Sequence, residues 1–167
     1  FTNISDLKTV NSRVVVLRKF NKEKMTLNFN TDYRSKKIIE LNKNNNTNFV
    51  FYDLNLKIQL RIKTLTKIHY NNKTAAESWD ETRLFSRKCY LTEKAPSSIT
   101  NVPEDGIPEN LKGKEPLKNE SEKGYANFTV LENFIQEIDW LYLSSNGHRR
   151  LKISYNTDQV IFNWLIP

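Results

Sequence analysis

Two arginines bracket a β-branched run, Arg13-Val14-Val15-Val16-Leu17-Arg18, and further along Thr31, Ser35, Lys36 and Lys37 gather where a helix should begin. Hydroxyls, cations and backbone N–H groups at a helix start suit a phosphate dianion. The same spacing also describes a capped helix carrying a solvated lysine pair, and capping is common enough that spacing alone favours this second account. Cys89 and His69 can be posed as a nucleophile and its base. Nothing around them supports it, so an ordinary structural cysteine and a surface histidine are expected. The chain has no glycine-rich nucleotide loop, P-loop, HExxH motif or nucleophile elbow. A single cysteine excludes an internal disulfide framework and a multi-cysteine zinc site, and with two histidines no metal centre is expected.

The elements that would position these groups are mostly strands. Residues 13–18 predict a buried strand and Met25–Phe29 a half-buried one, joined as a hairpin through the polar link 19–24. Thr31 and Asp32 offer a cap for a short helix over 35–43, with Ile38, Ile39 and Leu41 on its apolar side. A turn over 42–48 and a strand over 48–53 follow. Residues 57–70 alternate strictly: Ile58, Leu60, Ile62, Thr64 and Thr66 face one way, Gln59, Arg61, Lys63 and Lys67 the other. Such a strand has one side in the core and the other at solvent or a ligand. Residues 74–84 read as helix. Strands return over 134–143, 148–155 and 159–165, with a hairpin turn at Ser144-Ser145-Asn146-Gly147. Residues 94–125 hold four of the five prolines and show no periodicity, so they are expected to form a long polar loop insertion of the kind used as lids or binding loops. Antiparallel strands with short helices predict a small β-barrel in a single domain spanning residues 1–167.

Length and composition agree. The 167 residues, 38% hydrophobic and 11% aromatic, can bury a core without staples. No apolar run reaches the length of a membrane span, so no membrane partner is expected. The net charge of +7 comes from residues 1–92, which carry eighteen basic and eight acidic side chains. A basic half suggests an anionic partner. Scattered short clusters favour a local phosphate site over a nucleic-acid track, and no nucleic-acid partner is expected. The polar start Phe1–Asp6 has no apolar leader character, and the missing initial Met suggests that the chain continues upstream. Five Asn-x-Ser/Thr sites, at Asn3, Asn45, Asn72, Asn119 and Asn127, follow from the heavy use of asparagine, and a cytoplasmic location is expected.

The order of motifs goes further. Arg13-Val-Val-Val-Leu-Arg18, Phe29-Asn-Thr31-Asp-Tyr-Arg-Ser35-Lys-Lys37 and Ile58-Gln59-Leu-Arg61-Ile resemble the FMN-binding half of the pyridoxamine 5′-phosphate oxidase family. Trp79, Ser86-Arg87, Asn127-Phe128, Ile138-Asp139-Trp140-Leu141, Gly147-His148-Arg149-Arg150 and the terminal Trp164-Leu-Ile-Pro167 continue the resemblance outside residues 94–125. It implies a six-stranded, antiparallel, Greek-key FMN-binding split β-barrel with short flanking helices. It also implies a homodimer with FMN at the subunit interface. Arg13, Val14, Val15, Leu17 and Arg18 would line FMN, with Arg13 and Lys37 near its phosphate. Asn30 and Thr31 would add strand-end contacts, Ser35 and Lys36 belong to the phosphate-side motif, Gln59 would lie toward the flavin ring, and Arg150 joins the set.

The departures concern the substrate. The resemblance calls for lysine where Arg18 stands, and the exchange alters geometry while keeping charge. A Gln-Ser pair of the family falls on Leu84-Phe85. The helix that would meet a substrate phosphate is expected to be short or missing between Tyr70 and Trp79. The family's Arg-x-His pair reads Arg149-Arg150-Leu151. The expectation is an FMN-dependent oxidoreductase acting on a small molecule other than pyridoxamine phosphate. A non-enzymatic flavin or haem binding module of the same fold is the alternative, and His148 is the one appealing axial ligand for haem.

Overall fold

Apolar–polar alternation shapes most of the chain into strands. The computed structural model describes residues 1–5, 8–156 and 159–167. Among them the strands are β1 (Thr2–Ile4), β2 (Val10–Ser12), β3 (Lys19–Asn21), β4 (Thr26–Asp32), β5 (Asn46–Asp53), β6 (Ile58–Tyr70), β7 (Phe128–Tyr142), β8 (Arg149–Tyr155) and β9 (Val160–Leu165). Four short helices accompany them: α1 (Lys36–Lys43), α2 (Lys73–Glu81), α3 (Leu84–Arg87) and α4 (Lys118–Ser121). The strands form one sheet in the order β2-β1-β5-β6-β7-β4-β3, with β8 on β7 and β9 on β8. The mainly β class with short flanking helices is the expected one. The strand count is nine rather than six, because β1, β2 and β3 have three residues each and are too short to show a period. No described helix is long and apolar enough to cross a membrane.

Residues 13–18 correct the sequence reading. They form no strand. Arg13 N–H bonds to Phe1 O and Arg18 N–H to Asn28 O, but no ladder forms between these ends, and Val14 is 98% exposed. β-Branched residues favour a strand only when a neighbour completes the pairing. The hairpin partner of β4 is β3, in the register Phe20↔Leu27, drawn from the supposed linker.

Contacts along the chain define two units. The first comprises residues 1–28, 40–67 and 132–167. Leu27, Leu41, Phe49, Ile62 and Ile135 are buried in it. β5 and β6 pair with Phe49 opposite Ile62 and Tyr52 opposite Gln59. A buried polar ladder crosses this unit: Thr47 Oγ1 lies 2.6 Å from Thr64 Oγ1 and 2.7 Å from Thr66 Oγ1. Thr66 donates to Asn133 Oδ1, and Asn133 Nδ2 donates to Leu27 O, each at 2.7 Å. Buried hydroxyls and amides cost free energy unless every one finds a partner, so the ladder stands or falls together. Asn133→Ala removes a partner from the Leu27 carbonyl and from the Thr66 hydroxyl, and is expected to lower stability by about 1–3 kcal/mol in urea unfolding.

The second unit comprises residues 29–39 and 68–131. Trp79, Tyr90, Phe128 and Val130 form its aromatic centre, with Trp79 and Phe128 ring centroids 5.0 Å apart, edge to face. α2 fills the stretch where a helix was expected to be short or missing. Asn72 caps it by accepting from Ala75 N–H at 3.0 Å, and extended backbone at Thr82 stops it before Leu84. α1 buries Ile38, while Ile39, expected on the same side, is exposed. Residues 94–125 contain helical turns at Glu109–Leu111 and α4, and a further turn runs Glu122–Asn127. These pieces are too short for any period to reveal. His69, expected at the surface, is buried; its Nδ1 pairs with Asn72 Nδ2 at 3.2 Å and its carbonyl accepts from Thr129 Oγ1. Cys89 is exposed.

Candidate cofactor site

In the second unit β4 ends in a tight turn that sets up α1. Asp32 Oδ1 accepts from Arg34 N–H at 2.8 Å, and Ser35 donates both its N–H and its hydroxyl to Asp32 O. Lys37 then folds back: its ammonium donates to Thr31 Oγ1 at 2.8 Å and to Ser35 Oγ at 2.9 Å. Lys36 faces solvent. The first turn of α1 has no acidic residue. Two lysines there oppose the positive end of the helix dipole, an arrangement that an anion would relieve. Thr31, Ser35 and Lys37 are therefore brought together: Lys37 is drawn in rather than solvated, and the Ser35 hydroxyl bonds to Asp32 O and Lys37 instead of capping α1, so the cap expected at Thr31 and Asp32 does not form as a helix cap. Asn30 faces elsewhere, accepting from Ser78 Oγ at 3.3 Å and donating to Thr82 Oγ1 at 3.4 Å.

In the first unit Arg13, Val14, Val15 and Leu17 line one wall of a groove of about 610 Å³, and Phe49–Tyr52 of β5 line another. Gln59 stands opposite Tyr52 in the β5–β6 ladder. Arg18 is exposed just before β3. Arg150 is tied by Nε and Nη2 to Asp139, at 3.1 and 2.8 Å, and Arg61 binds the same carboxylate. Those contacts outweigh burial: hydrogen bonding from Arg150, then from Arg61, holds the Asp139 carboxyl below its ordinary range. A depressed folded-state pKa stabilises above the unfolded value and is lost as pH falls through the folded one. Wild-type stability is thus expected to fall on acidification below about pH 4, with a shallower slope in Asp139→Asn; equal slopes in chemical denaturation would refute this.

Sequence reasoning passed over two arginines that hold the second unit. Arg34 is clamped between Asp32 and the 92–93 backbone, with Nη2 2.7 Å from Asp32 Oδ2 and Nη1 3.0 Å from Thr92 O. Arg87, noted only as part of a motif, is 2% exposed. It donates to Trp79 O, Thr82 O, Ser121 Oγ and Glu122 Oε1, and its guanidinium stands 4.4 Å over the Trp79 ring. No local pattern marks either role, because their acceptors are remote in sequence. His148 Nδ1 accepts from Ser144 N–H within the hairpin turn.

Residues 2–70 match the family model of the pyridoxamine 5′-phosphate oxidase, FMN-binding domain. Solved structures share the fold. A pyridoxamine 5′-phosphate oxidase-related, FMN-binding protein from Nostoc punctiforme superposes with a TM-score of 0.78 at 17% identity, over 99% of this chain and 86% of that one. PhzG from Burkholderia lata, solved with tetrahydrophenazine-1-carboxylic acid, gives 0.75 at 15% identity, over 99% and 80%. A protein related to general stress protein 26, of the pyridoxinephosphate oxidase family, from Clostridium acetobutylicum gives 0.53 at 12% identity, over 98% and 82%. No curated protein matches the chain in sequence. The fold is that of the FMN-binding split barrels, and residues 2–70 are the stretch that matches the FMN-binding family model. FMN, the cofactor expected from the motifs, is that family's cofactor. The donors fit its phosphate: an ammonium, two hydroxyls and a helix start free of carboxylates.

Proposed function

We propose that this protein is an FMN-dependent oxidoreductase acting on a small molecule other than pyridoxamine phosphate. The observation that carries the reading is the Thr31–Ser35–Lys37 cluster at the acid-free start of α1, inside the residues that match the FMN-binding family model. In this reading Lys37 and Thr31 of the second unit hold the phosphate of FMN. Bound FMN supplies the redox chemistry; the protein orients it and tunes its surroundings. A homodimer completes the proposal, because the exposed Val14, Val16 and Leu17 are the kind of apolar run that a second subunit covers. A cytoplasmic setting accords with the lone, exposed thiol of Cys89. The single domain over residues 1–167, with 94–125 as an insertion, remains part of the same reading.

The substrate side supports the exclusion. Where the family has a Gln-Ser pair, Leu84 and Phe85 have no hydrogen-bonding side chain; Phe85 is exposed, with its N–H on Glu115 and its ring under the Lys88 ammonium. Arg149 spends its guanidinium on the carbonyls of Gly147 and His148. Losing an anchor for a substrate phosphate removes much of the positioning that makes a bound pair reactive. Titrating the purified protein with FMN should quench flavin fluorescence to a stoichiometric end point. The loaded protein should then fail to oxidise pyridoxamine and pyridoxine phosphates in air. No flavin uptake sinks the cofactor assignment, and ordinary turnover sinks the exclusion.

A further inference from the structure

The long strand β6 presents Arg61 and Lys63 on its polar face, β7 presents Glu137 and Asp139, and β8 presents Arg150 and Lys152. All six line one groove of about 570 Å³ in the first unit. The central strand is acidic and both flanking strands are basic. Lys63 and Lys152 reach Glu137 at 2.9 and 3.0 Å, while Arg61 and Arg150 share Asp139. Each acid therefore sits between two cations, and each trio keeps one net positive charge.

Depth separates the signs. The carboxylates are 18% and 13% exposed, whereas Lys63 is 67%, Arg61 43%, Lys152 38% and Arg150 27% exposed. The acids form the floor and the cations the rim, so an incoming ligand meets positive charge and unspent N–H donors. An ammonium has three protons and a guanidinium five, more than one carboxylate consumes. Glu137 and Asp139 are two residues apart on one strand, which places the trios about 7 Å apart. The rest of the lining mixes polar Thr2, Asn46 and Asn48 with apolar Val10 and Leu165.

We propose that this groove binds a small organic dianion whose two carboxylates are joined by a short hydrocarbon chain of about four carbons. Two singly positive sites at that separation match two singly negative ends in charge and in span, and the apolar wall accepts the chain between them. The proposal goes beyond flavin binding and does not depend on it.

The test is titration calorimetry of the wild-type protein with adipate, at low ionic strength, with acetate and inorganic phosphate as comparison probes. Adipate is expected to bind at 1:1 and at least tenfold more tightly than acetate or phosphate. Lys63→Ala with Lys152→Ala, both at exposed positions, should weaken adipate at least tenfold while FMN uptake stays as in wild type. Adipate no tighter than acetate overturns the proposal, since the two trios then do not act together. So does adipate binding that the double substitution leaves unchanged, or adipate displaced by FMN mole for mole. A loss of FMN uptake already in the wild-type protein would count against the flavin reading alone.

Discussion

Lys37→Ala is expected to weaken FMN binding roughly 10- to 150-fold, the equivalent of one charge-assisted contact of about 1.5–3 kcal/mol. Three features set the size of the effect. The ammonium is held within 2.9 Å of both Thr31 Oγ1 and Ser35 Oγ, so little entropy remains to be lost when an anion arrives. The first helical turn carries no acidic residue. Part of its surface is already withdrawn from water, which limits screening. Lys36→Ala is the internal control: its side chain points to solvent, and its loss should cost threefold or less. Fluorescence titrations of the two variants decide the matter. Equal affinities for Lys36→Ala and Lys37→Ala would remove the phosphate assignment.

Arg87→Ala is expected to have the largest effect on stability, about 3–5 kcal/mol, because it removes a buried guanidinium with four of its five N–H groups hydrogen-bonded. Four acceptors lose a donor, among them the backbone carbonyls of Trp79, which keeps the Thr82 N–H, and of Thr82, at the end of α2. Glu122 is half exposed and returns to water, so the cost lies mainly in those carbonyls and in the space left beside the Trp79 ring. Lysine cannot replace the planar fork, and Arg87→Lys should recover only a minor share. Urea unfolding measures both variants. A loss under 1 kcal/mol in Arg87→Ala would show that the guanidinium is incidental to the packing. Any folded fraction of the variant should still take up FMN, since Arg87 is bound to Trp79, Thr82, Ser121 and Glu122 rather than to the α1 cluster.

What was legible in the sequence is what repeats locally. The alternation from Ile58 to Thr66 gave β6 and the buried sides of Ile62, Thr64 and Thr66. The spacing of Ala75, Ala76 and Trp79 gave α2, while its cap at Asn72 went unread. The cluster at Thr31, Ser35 and Lys37 was legible as residue types, but the folding back of Lys37 depends on two hydroxyls whose positions only the turn at Asp32 fixes. Propensity overreached at residues 13–18, where β-branched residues lack a neighbouring strand. Arg34 and Arg87 were beyond reach, because their partners at Thr92, Ser121 and Glu122 lie tens of residues away. The acid-and-base pattern of β6, β7 and β8 is visible as charges in the sequence, but it becomes a pattern only once the strands are set side by side.

That pattern also bears on how the sheet chooses its alignment. β7 and β8 pair with Asp139 opposite Lys152, and each acid reaches its cation on the diagonal: Asp139 to Arg150 and Glu137 to Lys152. A slip of one residue in β7 would turn Glu137 and Asp139 to the opposite side of the sheet, against Ile153 and Leu151 of β8, and would put Ile138 and Trp140 among the cations. Two carboxylates would then be set against apolar side chains, while four cations would lose their counter-charges. The wrong alignment is penalised twice, once by desolvation and once by repulsion. The six charges thus act as a proofreading key for the C-terminal meander, and their neutralisation in strong salt or acid should show first as heterogeneity in strand pairing, before any loss of the sheet itself.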